Sequence, residues 1–259
     1  MTPFELTAIG GPWGRRLAPR RRFIDGLPWD EALPRGADDA RLVWTQTAFS
    51  EYASAAAFAD IASALLAAGA PIDLTAAAGD FVVDEIVHTE LAARIAAALG
   101  GAVRLDVDLA RLVRPPAAAD PLLRAAELVV RTSCVGEALT VPMLKLSREV
   151  AGSALIDAAL RKVVADESSH AQLGGWFLDW AEPVLDAAAR AHLGRVAGAA
   201  LRGFAALLGG ACARSGLGVI ACERYDPALA DAAVRRVARP LAARGIEVPV
   251  ADLTAVGAG

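Results

Sequence analysis

The chain has 259 residues, 55% of them hydrophobic, 5% aromatic and 22% charged, with a formal charge of −4. That length can bury a substantial core as one large domain, and the alanine-rich composition favours closely packed helices. Its apolar stretches are broken by Asp60 within 53–70 and by Arg202 within 196–211, so the uninterrupted run of ~20 residues that a membrane span needs is not met.

In chain order, residues 1–37 hold Gly10-Gly11-Pro12, Pro19, Pro28 and Pro34 among arginines and tryptophans, and read as an irregular arm. The opening MTPFELTAIGG lacks the basic start and apolar run of a secretory signal, which points to a cytoplasmic protein. Arg15, Arg16, Arg20, Arg21 and Arg22 in the arm read as partners for acids on this or a neighbouring subunit. No groove-reading motif accompanies them, so no nucleic-acid partner is expected.

Helices are then predicted at about 38–68 and 72–99, separated by Gly69-Ala70-Pro71. Residues 100–120, with Gly100-Gly101 and Pro115-Pro116, are long enough for a single crossover along a helical bundle. Two more helices follow at about 120–150 and 154–181, with a break near Gly152. Beyond Pro183 come a fifth helix at about 184–209 and a further one near 227–244, bent at Pro240. The organisation is therefore an arm (1–37), a four-helix bundle (38–182) and added helices with a tail (183–259). Cys134, Cys212 and Cys222 are scattered and odd in number, which suggests unpaired cysteines in a reducing compartment. Cys134 reads as a small core residue.

Four glutamates and two histidines fall in the order Glu51, Glu85-x-x-His88, Glu137, Glu167-x-x-His170, using two of the three histidines in the chain. Residues three apart share a helix face, so each Glu-x-x-His pair can grip one metal ion. A single Glu from each of two other helices completes the side-chain set of a di-iron or di-manganese site in a four-helix bundle. The spacing puts these residues at one level. Glu51 and Glu85 lie nineteen and fifteen residues either side of Ala70, and Glu137 and Glu167 each lie fifteen from Gly152.

The apolar seams agree with this placement. Trp44, Glu51, Phe58 and Leu65 share one stripe; Phe81, His88 and Ile95 share another; Leu123, Val130, Glu137 and Leu144 a third; Val163, His170 and Phe177 a fourth. Each polar residue interrupts a buried stripe, where a carboxylate is costly unless paired or metal-bound. Thr140, one turn after Glu137, is a candidate catalytic proton relay or a packed core threonine. Ala55, Ala92 and Gly174 leave either substrate space or close helix contacts. His192, the remaining histidine, reads as an ordinary surface or interhelical residue.

At these residues the chain resembles the ferritin-like di-iron carboxylate superfamily over roughly 40–182. Its doubled Asp-Glu-x-x-His form is similar to the oxygen-activating branch that includes ribonucleotide reductase small subunits and bacterial multicomponent monooxygenases. The resemblance implies an all-α, ferritin-like four-helix bundle with one long crossover. It also implies that Asp84 and Asp166 hold the ligand histidines, and the helical offset suggests that each reaches the histidine across the bundle.

The single-component arylamine N-oxygenases are similar in helix order and ligand spacing, but carry a further histidine where Val163 stands here. The expected site is thus four Glu and two His, holding two iron ions, with manganese or mixed manganese and iron as alternatives. Expected partners are dioxygen, an external electron donor and a small organic substrate, and a homodimer is left open. The function that follows is a di-iron oxidase or oxygenase; ferroxidase or iron storage, and a dimanganese peroxide-scavenging enzyme, are the alternatives.

Overall fold

The computed structural model describes residues 1–34, 37–208, 212, 216–249 and 252. Its described residues are all-α apart from a two-residue antiparallel pairing, β1 (Thr2–Pro3) with β2 (Asp106–Val107), and an isolated bridge between Gly216 and Val219. No described helix is long and apolar enough to cross a membrane.

The arm is not wholly irregular as its glycines and prolines suggest, because α1 (Gly11–Asp25) occupies 15 of its 37 residues. Pro12 sits in the first turn, where a missing N–H leaves no hydrogen bond unmade. The arm is fastened at several points. Arg20 donates to Asp84 at 2.9 Å and also pairs with Asp80, and Arg21 donates to Glu90 at 2.6 Å. These acids lie on α3 (Ile72–Ala98). At the arm's end, Glu31 accepts hydrogen bonds from the Ser153 hydroxyl and from the Ala154 and Leu155 amides at 2.8–3.2 Å. It thereby satisfies free donors at the start of α6 (Ala154–Ala181).

The bundle consists of α2 (Asp38–Ala67), α3, a third rod and α6. Gly69, at φ 66°, turns α2 back into α3. The third rod is α4 (Pro121–Val129), a π-helical segment (Val130–Glu137) and α5 (Ala138–Glu149) in direct succession. Pro142 removes the amide that would bond the Ala138 carbonyl, so the ordinary ladder is interrupted just where the wider turn ends. After it the buried face moves to Leu139, Val141 and Met143, and Leu144 is only half-buried.

Around the bundle α2 contacts α3, α3 contacts α6, α6 contacts the third rod, and that rod closes the ring onto α2. The crossover spans the bundle's length. Near its start the Val103 amide donates to Thr45 Oγ1 at 3.1 Å, while Val113 and Pro115 lie beside Ala64 and Ala67. Those two levels of α2 are about 30 Å apart at ~1.5 Å rise per residue. This connectivity fits a ferritin-like arrangement.

Outside the bundle lie α7 (Ala187–Leu208), α8 (Cys222–Ala232), a second π-helical segment (Ala233–Ala238) and α9 (Arg239–Ala242). The last helical run thus begins at Cys222 rather than near residue 227. Between α7 and α8 the chain returns to the bundle, where Trp44 Nε1 donates to the Leu217 carbonyl at 2.9 Å and Gly218 (φ 84°) sits against Trp44, Ile156 and Leu160. A Cβ at Gly218 would press on these side chains at 3.2–3.4 Å.

One cysteine expectation is overturned. Cys212 and Cys222 form a disulfide, S–S 2.11 Å, which closes the returning loop that brings them together. Their pairing removes the cysteine argument for a reducing compartment. Cys134 is free and partly buried.

Two apolar cores fill the bundle. One gathers Trp44, Leu91, Ile95, Ile156 and Leu160, and the other Phe58, Phe81, Leu139, Leu173 and Phe177. Between them the helices contribute polar residues.

Candidate metal centre

The layer between the two cores is built from four helices. Glu51 comes from α2, Glu85 and His88 from α3, Glu137 from the end of the π segment, and Glu167 and His170 from α6. All but Glu51 are at least 95% buried, and the Glu51 side chain is 12% exposed. The six residues named from spacing alone are therefore brought together.

Their donor atoms form two overlapping groups. Those of Glu51, Glu85, His88 and Glu167 lie within 4.8 Å of one another, and so do those of Glu85, Glu137, Glu167 and His170. Glu85 and Glu167, the carboxylates of the two Glu-x-x-His motifs, belong to both groups. Glu51 with His88, and Glu137 with His170, occupy the two ends.

Both imidazoles turn Nδ1 inward. His88 Nδ1 is 3.1 Å from Glu167 and 3.7–3.8 Å from Glu51 and Glu85. His170 Nδ1 is 2.9 Å from Glu85 and 3.0 Å from Glu167. The outer ring nitrogens face aspartates across the bundle: His88 Nε2 lies 3.0 Å from Asp166, and His170 Nε2 lies 3.7 Å from Asp84. The helical offset of the aspartates explains this crossing, since each Asp precedes its own Glu and looks toward the neighbouring helix. Lys162 pairs with Asp166 and Arg20 with Asp84, so each aspartate is held between a histidine and a cation. Phe58 and Phe81 close around the His170 ring, at centroid distances of 5.2 and 4.3 Å.

The electrostatics are those of a crowded anionic cavity. Burial, reinforced by the Glu85 charge, raises the Glu51 carboxyl well above its ordinary value. Burial and the charges of Glu167 and Glu85 do the same to Glu137. Burial opposes charge on His88, yet Asp166 and Glu167 outweigh it and raise the ring well above its usual range. His170, against the same burial, is pushed up to about 12 by Asp84, Glu167 and Glu85. Glu167 goes the other way: burial would raise it, but His170 and His88 hold it ionised and well below the carboxylate range.

Whether a cation fits can be tested on the atoms left over. Both carboxylate oxygens of the fully buried Glu85 lack a hydrogen bond, and so does His88 Nδ1. Oε1 of Glu85 is close to His170, but not in hydrogen-bonding geometry. Orphaned acceptors at this depth are costly and rare, and a cation shared by both groups would satisfy them together. The cluster could hold metal ions, and its oxygen-rich, imidazole-containing donor set suits iron or manganese.

Other expected residues take ordinary places. Val163 is buried one turn before Glu167 and offers no donor. Thr140 is half-buried and makes no hydrogen bond to the cluster among the described residues. Gly174 serves helix approach: a Cβ there would fall 2.5 Å from Cys134 Sγ and 3.2 Å from its amide. Burial pushes the Cys134 thiol up to about 12, which leaves it a packing residue.

Two features were not visible in the sequence. One is the π segment, which delivers Glu137. The other is buried Glu127, which accepts hydrogen bonds from the Ala117 and Ala118 amides at 2.7 and 2.9 Å and lies 2.7 Å from His192 Nε2. His192, expected to be ordinary, thus belongs to a polar network that ties the crossover to α4 and α7. Its 65-residue separation from Glu127 gave no local signal.

Comparisons with family models, with curated proteins and with solved structures found no match for this chain.

Proposed function

We propose that this chain is a di-iron oxidoreductase that uses dioxygen to oxidise a small organic molecule, drawing electrons from an external donor. The observation that carries the reading is the overlap of two four-donor groups on Glu85 and Glu167. Two carboxylates common to both groups suit a pair of ions held side by side, which a single-ion site does not need.

In this reading Glu51, Glu85, His88 and Glu167 would hold one ion, and Glu85, Glu137, Glu167 and His170 the other. A di-iron pair of this kind supplies reductive activation of dioxygen when bound. The chain's own residues do the rest. Asp166 and Asp84 orient the imidazoles so that Nδ1 faces inward. Phe58 and Phe81 keep water from the His170 side, while Glu51, the most exposed of the six donors, marks the side open to small molecules.

The test is metal content, followed by the visible spectrum when oxygen meets the anaerobically reduced protein. About two irons per chain and a transient absorbance are expected. Glu137→Ala and His170→Ala should each hold one ion or none. Two irons retained in both variants would refute the ligand set, and shells loaded with hundreds of irons would move the assignment to storage.

A further inference from the structure

A second cavity, of about 550 Å³, lies between the crossover, the third rod and α7. Its size falls within the range of small-molecule pockets. Val135, Val196, Ala199, Ala200 and Phe204 give it an apolar lining. The polar groups are three arginines, His192 and Glu127.

The charges there do not balance. Arg114 and Arg195 stand exposed at the rim, and neither forms an ion pair among the described residues. Arg131 reaches in from the π segment, and its buried Nη2 has no hydrogen-bond partner. Among the described residues, the only carboxylate lining the cavity, Glu127, is already occupied by the Ala117 and Ala118 amides and His192. Burial acts to raise the Glu127 carboxyl, but these bonds outweigh it and keep the group ionised. Three guanidiniums against one committed carboxylate leave the cavity positive, in a chain whose formal charge is −4. A buried guanidinium donor without an acceptor is unfavourable, and its planar fork matches a carboxylate's two oxygens.

We propose that this cavity binds a small organic carboxylate, its oxygens on Arg131 with Arg195 and Arg114 at the mouth, and its apolar body against Val135 and Phe204. The lining explains why a bare anion would not suffice, and the unpaired arginines why a neutral apolar molecule would not. The site is distinct from the carboxylate cluster and stands whether or not that cluster holds iron. Its wall nevertheless includes Val135 and Gly136, which directly precede Glu137.

Isothermal titration of the full chain with 3-phenylpropionate, 3-phenylpropanamide and inorganic phosphate tests this, with and without metal. The carboxylate should bind at least tenfold more tightly than either the amide or phosphate. Binding should weaken as salt rises. Arg131→Met should reduce carboxylate affinity to that of the amide without changing the amide's own, and Arg131→Lys should fall between. Arg195→Gln, an exposed change on α7 with no effect expected on folding, should weaken the carboxylate several-fold, and carries the test if Arg131→Met does not fold. Equal binding of all three compounds, absence of saturable carboxylate binding, or full affinity in the folded arginine variants would overturn the proposal.

Discussion

At the scale of single residues, the cluster's chemistry is governed by protons it must lose. Glu51 and Glu137 are raised by burial and by neighbouring carboxylates. His88 and His170 are raised by the acids around them, against the effect of burial. Metal ligands must be deprotonated, so at neutral pH an incoming cation displaces protons from groups that hold them more firmly than usual. Uptake should therefore acidify a lightly buffered solution, and apparent affinity should rise with pH. Titration with cobalt(II), a redox-stable probe, at pH 6, 7 and 8 measures both. An affinity that falls as pH rises would contradict the protonated cluster.

Four of the six donors were legible at this scale because three-residue spacing on a helix fixes a shared face without knowledge of the fold, and Glu51 and Glu137 were legible from their matched heights and apolar stripes. The facing of Asp84 and Asp166 was legible for the same reason. Glu127 with His192 was not: neither residue sits in a local pattern, and only the packing of α7 against α4 brings them together.

At the scale of elements, the π segment separates what periodicity can read from what it cannot. The stripe Leu123, Val130, Glu137, Leu144 assumes one uniform helix. Val130 and Glu137 are buried as that stripe requires, but after the wide turns the buried residues are Leu139, Val141 and Met143. Pro142 was visible in sequence, yet a proline alone does not say whether a helix will kink, break or widen.

The same rod approaches α6 where Cys134 meets Gly174. Gly174→Ala should destabilise the protein by about 1–3 kcal/mol through overpacking, and Cys134→Ala should recover part of the loss by removing the sulfur that the new methyl strikes. Chemical denaturation of both single variants and the double variant checks this. Additive losses would show that the two residues do not share the contact.

Over the whole molecule, the all-α class, the four bundle helices and the long crossover were readable from apolar periodicity and from breaks at Gly69 and Gly152. The arm and the C-terminal region were read less well. Gly10-Gly11-Pro12 reads as loop punctuation, although Pro is equally at home in the first turn of a helix. The Cys212–Cys222 pairing depends on a loop that folds back onto Trp44, a contact between residues 173 apart.

Metal removal is the perturbation that belongs to this scale. Cation binding to the folded state alone stabilises it by about 2.7 kcal/mol at a hundredfold excess over Kd. For a chain of this length that raises the melting temperature by roughly 5–10 °C. Differential scanning calorimetry with and without metal should show the difference, and identical melting curves would mean that no cation is bound.

The polar layer between the two apolar cores has a bearing on motion. Helices ordinarily open from their ends, where amides lack partners, and are most protected at their centres. Here the centres of α3 and α6 carry the crowded carboxylates, while apolar packing is densest above and below them. In the metal-free protein, hydrogen exchange should find two bands of slow amides separated by a faster belt at Glu85–His88 and Glu167–His170, which bound metal would slow. The bundle would then behave as two stacked clamps joined at a hinge plane, and the ions as the pin that locks it.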